Sequence, residues 1–180
     1  MALTEKLTAV ADAIRSKTGK TDTLTLDRMA TEIAGIETGG GDDIHKQLVQ
    51  GTMTVFSSND IVSLKSYLFH EDKVIEEINL PNCTTVGMSI FRNATKLKKV
   101  LMNASPTAAS FVDCTALEAL IIPSNTLVKL KVSNAFTRSA IATGTGYIYV
   151  PSALLEEYKT ETNWSVYADR FRSIEGSEYE

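Results

Sequence analysis

The sequence predicts an α+β protein in which a helical hairpin is joined by a glycine-rich hinge to a short β-solenoid with a C-terminal helical cap. Two observations predict it. Three consecutive glycines at 39–41 separate segments of different hydrophobic periodicity, and phenylalanines recur at similar intervals through the second segment. The 180 residues suffice for one ordinary domain or two small ones, and 43% hydrophobic residues can form a packed core.

Residues 1–37 are predicted to form two short amphipathic helices. In each helix the apolar residues fall on one face, and Thr25 can cap the start of the second helix. Two short helices with one apolar stripe each are not stable alone. We therefore expect this leader to be an oligomerisation or docking element, through Leu3, Leu7, Val10, Ile14, Met29, Ile33 and Ile36.

The segment 38–43 is predicted to be a flexible hinge, because it contains the glycine run followed by acidic residues. Residues 44–176 are then predicted to form a separate repeat domain with its cap. From Leu48 onward the pattern changes to β-branched and aromatic residues, which favour strands.

The repeat is defined by Phe69, Phe91, Phe111 and Phe136. In the first three units the positions 6, 9 and 11 residues after the phenylalanine are aliphatic or methionine, and a short polar turn precedes them. Each unit therefore reads as a bend, a turn and a strand of alternating apolar residues. One unit cannot bury its apolar face alone, so stacked units and a ladder of parallel strands are predicted.

The fourth unit is irregular, as terminal repeats often are. Tyr147–Val150 is predicted to be the last strand, and Pro151 turns the chain into a short helix. Trp164, Tyr167 and Phe171 follow at helical spacing, which predicts an aromatic lid on the end of the solenoid.

Two parts of the chain resemble known families. From Ile61 to about Ile174 the chain resembles the BspA-type leucine-rich repeats of bacterial surface and phage proteins, through its phenylalanine bends, the turns "NATKLKKV" and "DCTALEAL", and the terminus "IYVPSALLEEYKTETNWSVYADRF". The segment "LTEKLTAVADAIRSKTGKTDTLTLDRMATEIAGI" is similar to leaders of virion proteins from phages that infect Gram-positive bacteria. Pro106 departs from the repeat, which has an aliphatic residue before the phenylalanine.

These resemblances imply a non-enzymatic structural or interaction protein of a bacteriophage virion, made in the host cytoplasm. They imply a viral tail or baseplate location, host attachment through the repeat domain, and contact with other virion proteins. They also suggest a homo-oligomer, most simply a trimer. A capsid decoration or head-fibre protein and a bacterial surface adhesin remain alternatives.

Charge and motifs argue against several activities. The net charge of −4 offers no global attraction for nucleic acid, and no apolar run is long enough for membrane insertion. His45 and His70 lack metal-ligand spacing, and no glycine loop fits a phosphate site. Cys83 and Cys114 are expected to be buried free thiols. We therefore predict no catalytic, cofactor or metal residues.

The candidate ligand contacts are aromatic, because a virion protein that binds host carbohydrate would use exposed rings. They are Tyr147, Tyr149, Tyr158 and Tyr167, although core packing is the competing interpretation of each. The basic cluster at Lys96–Lys99 is expected to be a solvated strand edge.

Overall fold

The computed structural model describes Ala11, Asp12 and residues 51–180. The chain divides into two units between Gln50 and Gly51. The predicted hinge and the apolar leader residues lie outside the described residues. Within the described residues, no helix has the length and apolar character needed to cross a membrane.

Residues 51–180 form a mixed α/β structure with parallel strands and few helices. The strands are β1 (Val55–Ser57), β2 (Ser63–Leu64), β3 (Glu77–Leu80), β4 (Thr85–Val86), β5 (Lys99–Met102), β6 (Ala119–Ile121), β7 (Tyr147–Val150) and β8 (Phe171–Ser173). The helices are α1 (Ala140–Thr143) and α2 (Leu155–Thr160), with 3₁₀ turns η1 (Ser133–Phe136), η2 (Ser152–Leu154) and η3 (Ser165–Arg170). All strand pairs are parallel, in a sheet of order β1-β3-β5-β6-β7-β8 and a second sheet of β2 and β4.

The register of the main sheet follows the phenylalanine spacing. Ile78 lies beside Val100, and Val100 lies beside Leu120, which are the residues nine positions after successive phenylalanines. All three side chains are fully buried. The row continues through Ile148 to Phe171. The predicted parallel strands are therefore confirmed, and the residues nine positions after the first three phenylalanines lie side by side in them.

The phenylalanines themselves form a continuous stack from one unit to the next. The ring centroids of Phe69 and Phe91 are 5.5 Å apart, and those of Phe91 and Phe111 are 5.2 Å apart. The Phe111 and Phe136 rings are nearly parallel, with centroids 5.2 Å apart and an angle of 1° between their planes. Trp164 then lies against Phe136 at 5.8 Å, with its ring tilted. Each unit thus places one ring on the ring of the preceding unit.

The bends around these rings use left-handed backbone at residues other than glycine. The position two residues after each phenylalanine has a positive φ, from 56° to 61°, at Glu71, Asn93, Asp113 and Arg138. A second positive φ occurs two residues before the first three phenylalanines, as at Ala109. These residues turn the chain so that its amides can bond to the next unit; Phe91 N–H, for example, donates to the Ser110 carbonyl.

Pro106 marks the point where the smaller sheet stops. It stands five residues before Phe111, as Leu64 and Val86 stand five before their phenylalanines, and Leu64 and Val86 are paired across β2 and β4. Proline has no N–H to donate to a strand ladder. The departure at Pro106 therefore coincides with loss of the second sheet, whereas β5 and β6 of the main sheet remain paired.

Two predictions about the last part of the chain are wrong. Tyr147–Val150 is not the last strand, because β8 pairs with it through Ile148 and Phe171. Phe171 therefore lies in a strand, and helical spacing from Trp164 does not describe it. Trp164, Tyr158 and Phe171 are nonetheless buried together, and the Trp164 Nε1–H donates to the Val128 carbonyl at 2.7 Å. They close this end of the core as a cluster around Trp164, which contacts Phe136, Tyr158 and Phe171, rather than as one helix face.

The glycines before β7 have a structural explanation. Gly144 ends α1 with φ 103°, a conformation that favours glycine. Gly146 is packed so closely against the Leu117 carbonyl that a Cβ there would overlap it. The segment "ATGTGY" therefore returns the chain to the sheet.

Candidate interaction surface

The outer face of the main sheet is the surface that brings candidate residues together. Tyr147 and Tyr149 lie two residues apart on β7, so their side chains project from the same face. Both are partly exposed, whereas the intervening Ile148 is fully buried. Of the four predicted tyrosines, these two share one surface.

Tyr158 and Tyr167 lie elsewhere. Tyr158 is fully buried between Trp164 and Phe171, and its hydroxyl accepts the Val128 N–H at 3.0 Å, so it belongs to the core. The Tyr167 ring lies edge-on against Phe136, and its hydroxyl donates to the Ser133 carbonyl. Burial raises the pKa of both hydroxyls. Neither ring extends the surface formed by Tyr147 and Tyr149.

Two arginines complete the surroundings of Tyr147. The guanidinium carbon of Arg172 lies 4.2 Å from the Tyr147 ring centroid, and that of Arg170 lies 6.0 Å away. A guanidinium over a tyrosine face is stabilised by the ring quadrupole. Arg172 projects from β8 next to Tyr149, because these two residues are paired in the sheet. The Arg172 guanidinium thus lies against the Tyr147 ring.

Ion pairs join β3 and β5 at their first residues and at the residues just before them. Lys99 Nζ lies 2.6 Å from a Glu77 carboxylate oxygen, and Lys98 Nζ lies 2.7 Å from Glu76. The hydrogen bond and charge of Lys98 lower the pKa of Glu76. All four side chains are at least one-third exposed, so these pairs are screened and contribute little to stability. In the cluster Lys96–Lys99, Lys98 and Lys99 are therefore solvated partners of residues on β3, and β5 is an inner strand of the sheet rather than an edge strand.

Tyr149 is covered in part by Tyr179. Their ring centroids are 4.6 Å apart and the rings are inclined by 68°, an edge-to-face contact. Burial raises the pKa of Tyr179 to about 12, assisted by the negative charge of Glu178. Burial, followed by the charge of Glu178, also raises the pKa of Tyr149. Both phenols are therefore neutral at physiological pH.

The described titratable groups do not assemble a metal cluster. Among these residues, no group of three or more histidine, cysteine or acidic side chains could hold a metal ion. His70 lies edge-on against Tyr67. His45 lies outside the described residues.

The two cysteines are free and buried, as predicted. Burial raises the pKa of Cys114 to about 12, and its thiol donates to the Phe91 carbonyl at 2.9 Å. Burial also raises the pKa of Cys83. Both groups remain thiols near neutral pH, and a thiol is a weak nucleophile.

A shallow cavity of about 230 Å³ lies between α1 and η3. Its lining includes Ile141, Tyr167, Asp169 and Arg170. The Arg170 guanidinium donates to the Gly144 carbonyl at 2.6 Å and so joins the two walls. The cavity is smaller than a usual ligand pocket of about 300–1,000 Å³, and its lining serves the contact between α1 and η3.

The sequence patterns did not identify Arg170, Arg172 and Tyr179 as surface residues. The alternation in "RFRS" is a strand signal that places both arginines on the face opposite Phe171. The spacing from Trp164 to Phe171 indicated a helix instead, so the strand that carries these arginines was not predicted. The contact between Tyr179 and Tyr149 joins residues 30 positions apart and has no local signal.

Comparisons with known proteins do not identify the chain. No protein-family model matches the sequence, and no curated protein or solved structure matches it.

Proposed function

We propose that residues 51–180 are a short leucine-rich-repeat-like β-solenoid of the BspA type and that the chain is a non-enzymatic structural component of a bacteriophage virion. The observation that best supports the proposal is the phenylalanine stack, in which each unit places one ring on the next. This one-dimensional stacking is the defining feature of repeat architectures.

The backbone hydrogen bonds support the solenoid in the same way. The amides of Phe69, Phe91 and Phe111 each donate to a carbonyl of the following unit, at Ile90, Ser110 and Ala135. The amides two residues further on repeat the arrangement, since Glu71 donates to Arg92 and Asn93 donates to Val112. A unit that bonds chiefly to its neighbours can be stacked without a separate connecting element.

The chemistry of the described surface favours an interaction role. Three of its acids, Glu76, Glu77 and Asp113, are paired with basic side chains, and the thiols are buried. The tail or baseplate location, host-surface contact and virion neighbours are proposed from the resemblance of the terminal segments. In this proposal Tyr147 and Tyr149 are the residues that contact a host-surface carbohydrate.

The leader is proposed to attach the repeat domain to the particle or to form the oligomer, most simply a trimer. The apolar stripe Leu3, Leu7, Val10 and Ile14 supports this role, because a lone short helix cannot bury it. Closed symmetric association would bury such stripes with little sequence.

The proposal is tested on purified particles. Phages induced from a strain that carries the gene are banded by density, and the chain is quantified by mass spectrometry against the major capsid protein. We expect a fixed copy number per particle and gold-labelled antibody at the tail or baseplate. Label over the head would indicate a decoration or head-fibre protein. A chain absent from particles but present on uninduced cells would contradict the virion role and indicate an adhesin.

A further inference from the structure

The ion pair of Arg138 shows how an arginine of this chain holds a carboxylate. Arg138 donates from Nε to one oxygen of Asp113 and from Nη2 to the other, each at 2.6 Å. This edge of the guanidinium is planar and matches the two oxygens of a carboxylate. An arginine that is fixed in place with its Nε–Nη2 edge free can accept a carboxylate in the same way.

Arg170 and Arg172 have that edge free. The Nη1 of Arg170 donates to the Gly144 carbonyl at 2.6 Å. The Nη1 of Arg172 donates to the carbonyls of Asp169 and Phe171, at 3.0 and 2.7 Å. Within the part of the chain that the structure describes, Nε and Nη2 of both arginines have no hydrogen-bond partner. The backbone therefore fixes both guanidiniums and leaves free the groups that recognise a carboxylate.

Both arginines stand beside the tyrosines that are proposed to contact carbohydrate. Arg172 is paired with Tyr149 in the sheet, and its guanidinium carbon lies 4.2 Å from the Tyr147 ring centroid. The guanidinium carbon of Arg170 lies 6.0 Å from the same centroid. β8 is the end strand of the main sheet, so the arginines lie at its rim. A saccharide on these tyrosines would lie next to two cationic donors.

The charge of this group is opposite to that of the whole chain. The net charge of −4 gives no general attraction for a polyanion, so an anion must be recognised by local contacts. Asp169 directly precedes Arg170, yet among the described residues no carboxylate forms an ion pair with Arg170 or Arg172. The two positive charges are therefore available to a ligand.

We propose that the saccharide contacted by Tyr147 and Tyr149 is acidic, a polymer whose sugar units carry carboxylates, and that the free edges of Arg170 and Arg172 hold those carboxylates. This inference rests on the proposed carbohydrate contact of the two tyrosines and names the class of carbohydrate. The rings supply apolar contact area, and the guanidiniums select sugars that carry a carboxylate.

The test uses the whole chain and a matched pair of probes. These are the tetramer of galacturonic acid and its full methyl ester, which have the same sugars and linkages but differ in charge. Proton–nitrogen NMR spectra of the labelled chain follow the arginine Nε–H groups and the amides of β7 and β8. Sodium acetate at the same carboxylate concentration shows whether a free carboxylate is sufficient.

We expect the acid tetramer to shift the Nε–H signals of Arg170 and Arg172 saturably, with an affinity at least about tenfold above that of the ester. Arg172→Gln should weaken binding of the acid by at least about tenfold. Arg172→Lys should also weaken it, because lysine keeps the charge but lacks the planar edge. The control is Arg92→Gln, which removes the same charge from an exposed arginine after Phe91 and should leave the affinity unchanged.

Several results would overturn the inference. Equal affinity for acid and ester, lost in Tyr147→Ala, would do so while supporting contact of the tyrosines with neutral carbohydrate. Equal weakening by Arg92→Gln and Arg172→Gln would indicate general charge attraction, and equal shifts with acetate would indicate an adventitious anion only. Absence of binding by the unaltered chain would also overturn it, whereas the virion role is tested separately by the composition of the particles.

Discussion

The rings of Phe91 and Phe111 stack with centroids 5.2 Å apart and an angle of 21° between their planes. Both side chains are fully buried. Neither ring has a contact of this kind within its own unit; each instead packs on the rings of the units before and after it. The core of one unit is therefore completed by its neighbours, and removal of a single ring should affect the whole stack.

Phe91→Ala is expected to lower the free energy of unfolding of the repeat domain by about 3–5 kcal/mol, the usual range for a buried phenylalanine. Urea unfolding followed by the fluorescence of buried Trp164 measures this change. The control is Leu68→Ala, because Leu68 is 54% exposed and its loss should change stability by less than about 0.5 kcal/mol. A loss below about 1 kcal/mol for Phe91→Ala would show that the stack is not a source of stability.

The bends give a prediction about backbone strain. Ala109 has φ 55°, a region that costs an L-residue about 1–2 kcal/mol, and glycine adopts it without that cost. Glycine also loses more entropy on folding, by about 0.5–1 kcal/mol relative to alanine. Ala109→Gly is therefore expected to leave stability unchanged or to raise it by up to about 1 kcal/mol.

The adjacent Ala108→Gly is the matched control. Ala108 is exposed and is not among the described residues with positive φ, so glycine there adds only entropy to the unfolded chain. We expect it to lower stability by about 0.5–1 kcal/mol in the same urea experiment. A greater loss from Ala109→Gly than from Ala108→Gly would refute the strained bend.

The same bends show what the sequence could and could not predict. The phenylalanines predicted the strand register of the first three units, because residues at an equal distance after each phenylalanine lie side by side on the parallel strands, as with Ile78 and Val100. It did not predict the left-handed residues, because Tyr67, Ser89 and Ala109 carry no glycine or asparagine signal. Hydrogen bonds between units hold these bends, and such bonds are not visible in local sequence.

The candidate site was predictable only in part. The alternation of Tyr147 and Tyr149 about Ile148 placed both tyrosines on one face. Tyr158 lies on helix α2 between two charged residues, and its burial between Trp164 and Phe171 was not predicted by any alternation. The cover supplied by Tyr179 depends on the turn at Gly176, and no periodicity in the sequence encodes it.

The ion pair between Asp113 and Arg138 predicts a dependence on pH. The Arg138 guanidinium donates two hydrogen bonds of 2.6 Å to the Asp113 carboxylate, and this holds the pKa of Asp113 below its usual range. Because the folded-state pKa is lowered, the pair stabilises the fold above the ordinary carboxylate range. That stabilisation is lost as the pH falls below about 4 and through the folded-state pKa.

Arg138→Gln should therefore raise the pKa of Asp113, as measured by carboxyl-carbon NMR across an acid titration. The thermal midpoint should fall at pH 7, and the difference between the two proteins should disappear in strong acid, where Asp113 is protonated in both. The control is Lys159→Gln, which removes a different surface pair, with Glu156, and should leave Asp113 unchanged. An Asp113 pKa that is the same in all three proteins would contradict this role for Arg138.

The leader supplies the last prediction, which concerns residues outside those that the structure describes. If Leu7 and Ile33 lie in the apolar stripes that drive association, the double variant Leu7→Asp with Ile33→Asp should be monomeric. Its repeat domain should remain folded, because the stack from Phe69 to Phe136 lies wholly within residues 51–180. Light-scattering mass is measured for the intact chain, the double variant and a chain that begins at Asp42, with urea unfolding as the control for the fold.

A single change such as Leu7→Ala should weaken association less, since it keeps the stripe apolar. If the three masses correspond to the same number of chains per particle, the leader does not drive self-association and its proposed role narrows to docking on another virion protein. If the chain that begins at Asp42 also enters particles as well as the intact chain, docking by the leader is excluded as well.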